Sequence, residues 1–397
     1  MTSSRPVSVA VMALAHLVND SYAYLLPALL PLLLTRLGLT LGLAGLLVTI
    51  YQVSSSFAQP VFGHIADRGT NTRWMAWTGV ACSGVAAGSL GLAPSFGWIA
   101  AALLAGGLGT ALYHPVSAAL VARAVPDASR GRWMSLYISA GNFGLPIGPL
   151  AVGVVFATIG LGGTWLLAFP ALVMSLIVWR SGPQWTYAAH GSAQLPLRTV
   201  LAGNRRMLAP LIGVAAGRSW ASTLVASFLP IIAVARGADV VTSSRLLTAF
   251  LLAGAFGGLI GGALADRVGR DRVIVAGLLA GAPACVALAL QPRVDAGFWA
   301  AAIVSGLLLN GSFVVLAVRG QESMPGNLGM VSGLMLGLSI GLGGLAVAPM
   351  AALAERTGLD TVLYASAFLA LAAALLMTAV PKPPPRSLPA VAPAPVG

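Results

Sequence analysis

An all-α integral membrane protein, with twelve transmembrane helices in two pseudo-symmetric six-helix bundles, is what this chain spells out on three grounds. Apolar runs recur from end to end at roughly the twenty residues needed to cross a bilayer. Only 8% of the 397 residues are charged and 58% are hydrophobic, with mean hydropathy +0.90, whereas soluble domains carry about 25% charged residues. Landmarks of the first half return in the second at a near-constant offset.

The expected spans cover 9–34, 41–62, 74–93, 98–121, 133–158, 165–179, 209–234, 246–264, 273–290, 298–318, 329–352 and 361–380. Helices rather than a barrel follow from the lack of apolar/polar alternation, since only helices and closed barrels satisfy their own backbone in lipid. The sixth span is short. Glycine and proline are frequent inside the spans, and small residues let helices approach closely.

The net charge of +12 suggests nucleic acid until it is mapped. With the N-terminus in the cytoplasm, 16 of the 22 basic residues fall in cytoplasmic segments or at their edges, from Arg5, Arg68 and Arg73 to Lys382 and Arg386. Arg36, Arg236, Arg245, Arg293 and Arg356 fall outside, and Arg218 lies within a span. This bias puts both termini in the cytoplasm of a bacterial inner membrane and excludes a nucleic-acid partner. Cys82 and Cys285 lie in separate spans, suggesting neither a disulfide nor a metal site, and no cofactor is expected. The opening "MTSSRPVSV" leads into a span too long for a secretory signal and lacks a clear cleavage site, so it is read as retained.

The longest connection splits the chain into an N-terminal bundle (1–179), a cytoplasmic linker (180–208), a C-terminal bundle (209–380) and a disordered Pro-rich tail (381–397). Gly63, Asp67 and Arg68 return as Gly262, Asp266 and Arg267 at an offset of 199, as does Pro31 as Pro230. Ser139, Gly141, Gly144 and Pro149 match Ser339, Gly341, Gly344 and Pro349 at an offset of 200. Parallel repeats of this kind place a substrate site between the halves near the midplane, with access switched by rocking.

"GHIADRG" and "GALADRVGRDR" resemble the cytoplasmic loop signature of the major facilitator superfamily. The first copy departs after Arg68, with Thr70 and Asn71 where the pattern wants Gly and Arg. An acid at such a helix end meets the positive end of a neighbouring helix and nearby arginines. The expected latch holds Gly63, Asp67, Arg68, Arg132, Gly262, Asp266, Arg267, Arg270 and Glu322; a solvated turn is the plainer alternative. "GNFGLPIGPLAVG" resembles the superfamily's fifth-helix antiporter signature through Gly144, Gly148, Pro149 and Gly153, with Val152 replacing one glycine. As a packing motif it removes bulk and bends the helix. "HLVNDSYAYLLPALLPLL", "ALYHPVSAAL", "SAGNFGLPIGPL" and "RGQESMPGNLGMVSGLMLG" together resemble the fosmidomycin-resistance branch, whose members are proton-driven exporters. That resemblance implies transport rather than enzymatic activity, by a carrier able to function as a monomer in lipid.

The chemistry sits inside the membrane. His16, Asn19 and Asp20 share one face of the first span, and Tyr24 continues it. Of the ten acidic residues only Asp20 lies deep in a span, where an ionised carboxylate costs about 2.5–3.5 kcal/mol. A carboxyl facing an inner cavity is able to load and release protons on opposite sides, so Asp20 is the expected proton carrier and His16 its relay. A salt-bridged or packing role is the alternative for each. Arg218 needs a partner, either Asp20 or an anionic substrate. His114, Tyr113, Asn142 and Asn310, with Asn19 and Tyr24, complete the candidate substrate contacts.

No nucleotide-binding loop exists, since the only lysine, Lys382, precedes a proline. The expected energy source is an ion gradient, unless a second subunit supplies ATP. One proton crossing 100 mV yields about 2.3 kcal/mol, roughly a 50-fold gradient. The leading expectation is proton-coupled export of a small anionic or amphiphilic compound; the alternative is proton-coupled uptake of an organic anion. An intramembrane enzyme lacks a nucleophile beside a base, and a passive channel does not need the repeat.

Overall fold

Proline and glycine punctuate the helices. In the computed structural model, which describes residues 5–68, 73–126, 129–181, 204–323, 335, 337 and 339–381, the described residues form helices joined by short turns. The first span is two helices, α1 (Arg5–Ser21) and α2 (Leu25–Leu37). They meet at a turn closed by three-residue bonds from the Tyr22 and Ala23 amides to the Asn19 and Asp20 carbonyls. Pro27 explains the break: its ring clashes with the carbonyl four residues earlier, that of Ala23. The second span is α3 (Leu41–Phe57) and α4 (Gln59–Arg68), the third α5 (Arg73–Ser89), the fourth α6 (Phe96–Ala124). The fifth is α7 (Arg130–Gly144) and α8 (Ile147–Ile159), separated at Pro146, whose ring meets the carbonyl of Asn142. The sixth joins a 3-10 stretch, Leu161–Leu167, to α9 (Ala168–Ser181). It is therefore longer than the sequence suggested, because its first turns are wound more tightly.

The second half has α10 (Arg205–Ala235), α11 (Val240–Val268), α12 (Arg270–Ala289), α13 (Ala296–Ser323), α14 (Ser339–Leu345), α15 (Val347–Thr357) and α16 (Asp360–Leu376). Eleven stretches among the described residues are long and apolar enough to cross a membrane. The expected span 329–352 lies partly outside the described residues, as do most of the linker and all but the first residue of the tail.

The repeat is visible in the backbone. Gly38 and Gly237, 199 residues apart, end the first and seventh spans at φ 61° and 89°. Thr40 and Asp239, at the same offset, cap α3 and α11, accepting from the Leu43 and Thr242 amides. Gly269 makes the one-residue turn between α11 and α12 at φ 97°, a conformation that side chains resist.

Glycines set the helix spacing. A side chain at Gly144 or Gly148 would collide with the Leu17 or Ser21 carbonyl, so α7 and α8 run against the α1 backbone. Gly257 and Gly261 of α11 lie likewise against the Leu307 and Gly311 carbonyls of α13. Between bundles, α3 packs against α14 and α15, and α8 against α11, where Gly153 meets Ser244. Three hydrogen bonds join the bundles at the end away from the termini. The Gly42 amide donates to Glu355 (3.0 Å), Thr49 Oγ1 to the Gly344 carbonyl (2.9 Å), and the Ala348 amide to Thr49 Oγ1 (3.2 Å). Cys82 and Cys285 are free thiols.

Candidate functional site

A cavity of about 170 Å³ lies between the bundles. The N-terminal half contributes Asp20, Tyr24, His114 and Asn142; the C-terminal half contributes Arg218, Asn310 and Phe313. Further polar residues of the lining, Gln52, Ser55, Ser56, Gln59 and Thr223 among them, are not among the candidates read from the sequence. A signal for four of them was present: Gln52, Ser55, Ser56 and Gln59 follow helical spacing along one face of the second span.

Asp20 is clamped between two imidazoles. His16 Nε2, one turn before it, lies 3.1 Å from Oδ2; His114 Nε2, from α6, lies 3.1 Å from Oδ1. Asn19 Nδ2 donates to Oδ1 at 3.1 Å. Each imidazole is anchored through Nδ1, His16 to the Tyr137 carbonyl (2.8 Å) and His114 to the Thr110 carbonyl (3.0 Å). The Tyr137 ring stacks on His16 at 4.2 Å, and its hydroxyl bonds Ser117. Gly141 of α7 roofs the cluster, since a Cβ there would come within 2.7 Å of Asp20 Oδ2. The three donor atoms lie within 4.8 Å of one another, close enough to share a cation. At 3.1 Å the contacts have hydrogen-bond length, and the cation that suits them is the proton.

Arg218 sits on the other wall, only 5% exposed. Nε donates to the Leu309 carbonyl (3.1 Å), Nη1 to Ser219 (3.3 Å) and Nη2 to Asn310 Oδ1 (2.8 Å), while Phe313 covers the guanidinium at 4.6 Å. All these partners are neutral, and no carboxylate among the described residues pairs with it. A buried charge without a counter-ion is costly, and the side chain retains N–H groups for an anion.

Several expectations are corrected by this geometry. Asp20 makes no ion pair with Arg218: it is held by two imidazoles, and both charged groups are occupied on their own sides of the cavity. Asn19 and Tyr113 stand behind the wall, fully buried, with Asn19 holding Asp20 and Ser83 and the Tyr113 hydroxyl donating to Met12. They support the site rather than line it. His16 is likewise behind Asp20.

At the terminal end, the second loop motif is assembled. Arg270 Nε donates to Glu322 (2.7 Å) and Nη1 to Asp266 (3.1 Å). Arg132 is exposed and stands in none of these ion pairs, so Glu322 is matched by Arg270 instead. Arg267 is exposed and Gly262 faces open space. Gly63 lies beside Pro115, and the side chains of Asp67 and Arg68 fall outside the description. Arg319, not foreseen, is buried and donates to Asp271 (2.6 Å) and the Pro381 carbonyl (2.6 Å).

Two helical halves around a polar cavity match what the comparisons with known proteins find. A family model for the Major Facilitator Superfamily matches residues 12–217 and again 211–396. The chain belongs to the major facilitator superfamily. This transporter is 31% identical over 366 residues to the fosmidomycin resistance protein of Escherichia coli (strain K12), covering 90% of this chain and 89% of that one. It is 29% identical over 368 residues to the MFS-type transporter YfnC of Bacillus subtilis (strain 168), with 90% and 89% covered. Among solved structures, a bacterial homologue of the human lysosomal transporter Spinster, inward-facing and unoccupied, superposes with TM-score 0.78 at 18% identity, covering 96% of this chain and 98% of that one. A D-xylose–proton symporter gives 0.74 at 17%, with 93% and 96% covered. The superfamily carries small molecules across membranes and is not enzymatic.

Proposed function

We propose that this transporter exports a small anionic or amphiphilic compound in exchange for protons, by alternating access, as a monomer in the bacterial inner membrane with both termini cytoplasmic. One observation carries the reading. The cavity wall carries Asp20 and His114, with His16 behind them, and faces a guanidinium that has no counter-ion among the described residues. Arg218, Asn310 and Asn142 are the proposed contacts for the anionic group. Phe313, Val314 and Leu251 offer apolar surface to the rest.

Three further points support it. The sequence relative named for resistance to fosmidomycin favours export. The distribution of arginines favours cytoplasmic termini. The distal hydrogen bonds of Gly42 and Thr49 close the side opposite the termini, and rocking the bundles would break them. Asp266, Arg270 and Glu322 would secure the terminal end in the same cycle.

Proton-coupled uptake of an organic anion is the second reading, favoured by the cationic character of the cavity: a protonated cluster and Arg218 attract an anion together. The test is flux in proteoliposomes under an imposed pH gradient, with fosmidomycin as probe. Substrate moving against the proton flow supports export, and movement with it supports uptake. Flux indifferent to the gradient ends both coupled readings.

A further inference from the structure

Counting hydrogens in the cluster gives more than a proton carrier. A backbone carbonyl only accepts, so the bonds to the Tyr137 and Thr110 carbonyls place a hydrogen on Nδ1 of both His16 and His114. This assignment follows from the hydrogen-bond network. Both Nε2 atoms therefore face Asp20 either with a second hydrogen or with a bare lone pair. Each of the two 3.1 Å contacts needs one proton between nitrogen and oxygen. A carboxyl group supplies only one. Both contacts are satisfied together only when the cluster holds two protons beyond its Nδ1 hydrogens, giving it a net charge of +1.

We infer that the His16–Asp20–His114 cluster is a two-proton store with unequal sites, a resident proton shared by His16 and Asp20 and a mobile one handed to the cavity by His114. This rests on the coupled-transport reading and supplies its proton count. Removing one proton sets a nitrogen lone pair against an oxygen lone pair, and one imidazole must move away. The packing selects which. His16 has 8% of its side chain exposed, is stacked on Tyr137 and lies under Gly141. His114 has 25% exposed and lies in the cavity wall. His114 therefore turns outward with the mobile proton, while His16 stays.

Among the described residues, the surroundings do not supply another proton site of this kind. The titratable groups facing the cluster are Tyr137 from α7, Tyr113 from α6 and Tyr51 from α3; Tyr24 and Arg218 face it across the cavity. From α5, Ser83 reaches Asn19 and Thr110 but carries no titratable group. Asp20 is the one carboxylate in the described lining. Losing the mobile proton takes the cluster from +1 to neutral without leaving Asp20 bare. The coupled stoichiometry is then one proton per cycle, although two are stored.

The test is nitrogen NMR of histidine-labelled protein in lipid bilayers, in a His64→Gln, His190→Gln background that leaves only the two cluster imidazoles. Titration without substrate or gradient should show two separate steps. His114 loses its Nε2 hydrogen first and becomes the Nδ1–H neutral form, while His16 keeps a shared proton. Asp20→Asn should collapse the stagger. A neutral Nε2–H form of either histidine, a single joint step, or His16 deprotonating first overturns the inference. Because no flux is measured, such a failure leaves transport standing. Conversely, staggered titration with gradient-indifferent flux removes the coupling reading and keeps the store.

Discussion

The centres of the two bundles share their wiring and differ in charge. In the N-terminal bundle, the first span offers Asp20 to His114 of the fourth, and His114 is held to the Thr110 carbonyl. In the C-terminal bundle, the seventh span offers Arg218 to the tenth, where it bonds the Leu309 carbonyl and lies on Phe313. Phe313 stands 199 residues after His114, the repeat offset, so equivalent positions put a ring against the charged partner in both halves, by its edge in the first and its face in the second. In the proposed cycle one centre exchanges its charge with solvent; the other holds a permanent charge, because a guanidinium does not deprotonate in a protein. On that reading, a duplicated scaffold divides labour between a variable charge and a fixed one.

The sharpest way to break this comparison is Asp20→Asn. Proton-driven flux in proteoliposomes should fall to that of protein-free vesicles, while counterflow exchange persists. Surviving pH-driven flux would remove the variable charge from the N-terminal centre. Next comes Gly148→Ala. Its Cβ would overlap the Ser21 carbonyl, and overpacking costs about 1–3 kcal/mol, read as a lowered Tm in detergent. Gly262→Ala, which faces open space, should leave Tm nearly unchanged.

Arg218→Ala should weaken anions more than neutral compounds, by about 1.5–3 kcal/mol or roughly 10–150-fold in apparent affinity. Equal losses for both would show that Arg218 serves only packing. Glu322→Gln removes one partner of Arg270 and should shift the balance between the two access states by about 1 kcal/mol or less, read by cysteine accessibility at Ser56→Cys. The smallest effect concerns the caps. Asp239 stands where the first half has Thr40, and bonds from the Thr242 amide and hydroxyl hold its carboxyl below the usual carboxylate range. Its stabilisation is present above the unfolded pKa and is lost as pH falls through the folded one. Asp239→Ala should cost about 1 kcal/mol at neutral pH and less in acid, whereas Asp239→Thr should cost only a few tenths.

The spans were legible because hydropathy and length are local properties. The pairing of His16 with Asp20 was legible too, since residues four apart share a helix face. The joining of His114 to Asp20 was not. It depends on how far α6 is rotated and how closely it approaches α1, which the sequence presents only as separate apolar runs. Arg218 was visible as a charge in a span, but its cradle of Asn310, Ser219 and Phe313 comes largely from packing with α13. The sixth span was cut short because its opening Gly-rich turns, Leu161–Leu167, lack an obvious helix signal.

Pro27 has a mechanical consequence. Its counterpart at the repeat offset is Ala226, and α10 accordingly runs unbroken from Arg205 to Ala235. The first span instead has a joint at Tyr22–Tyr24, directly after Asp20. Below the joint α1 packs on α7 of its own half; above it α2 leans on α10 and α11 of the other. In the proposed alternating-access cycle, the unbroken helix of the seventh span would transmit the swing and the jointed one would yield beside the acid, so the strain of each swing would be delivered where the hydrogen ion is proposed to change hands.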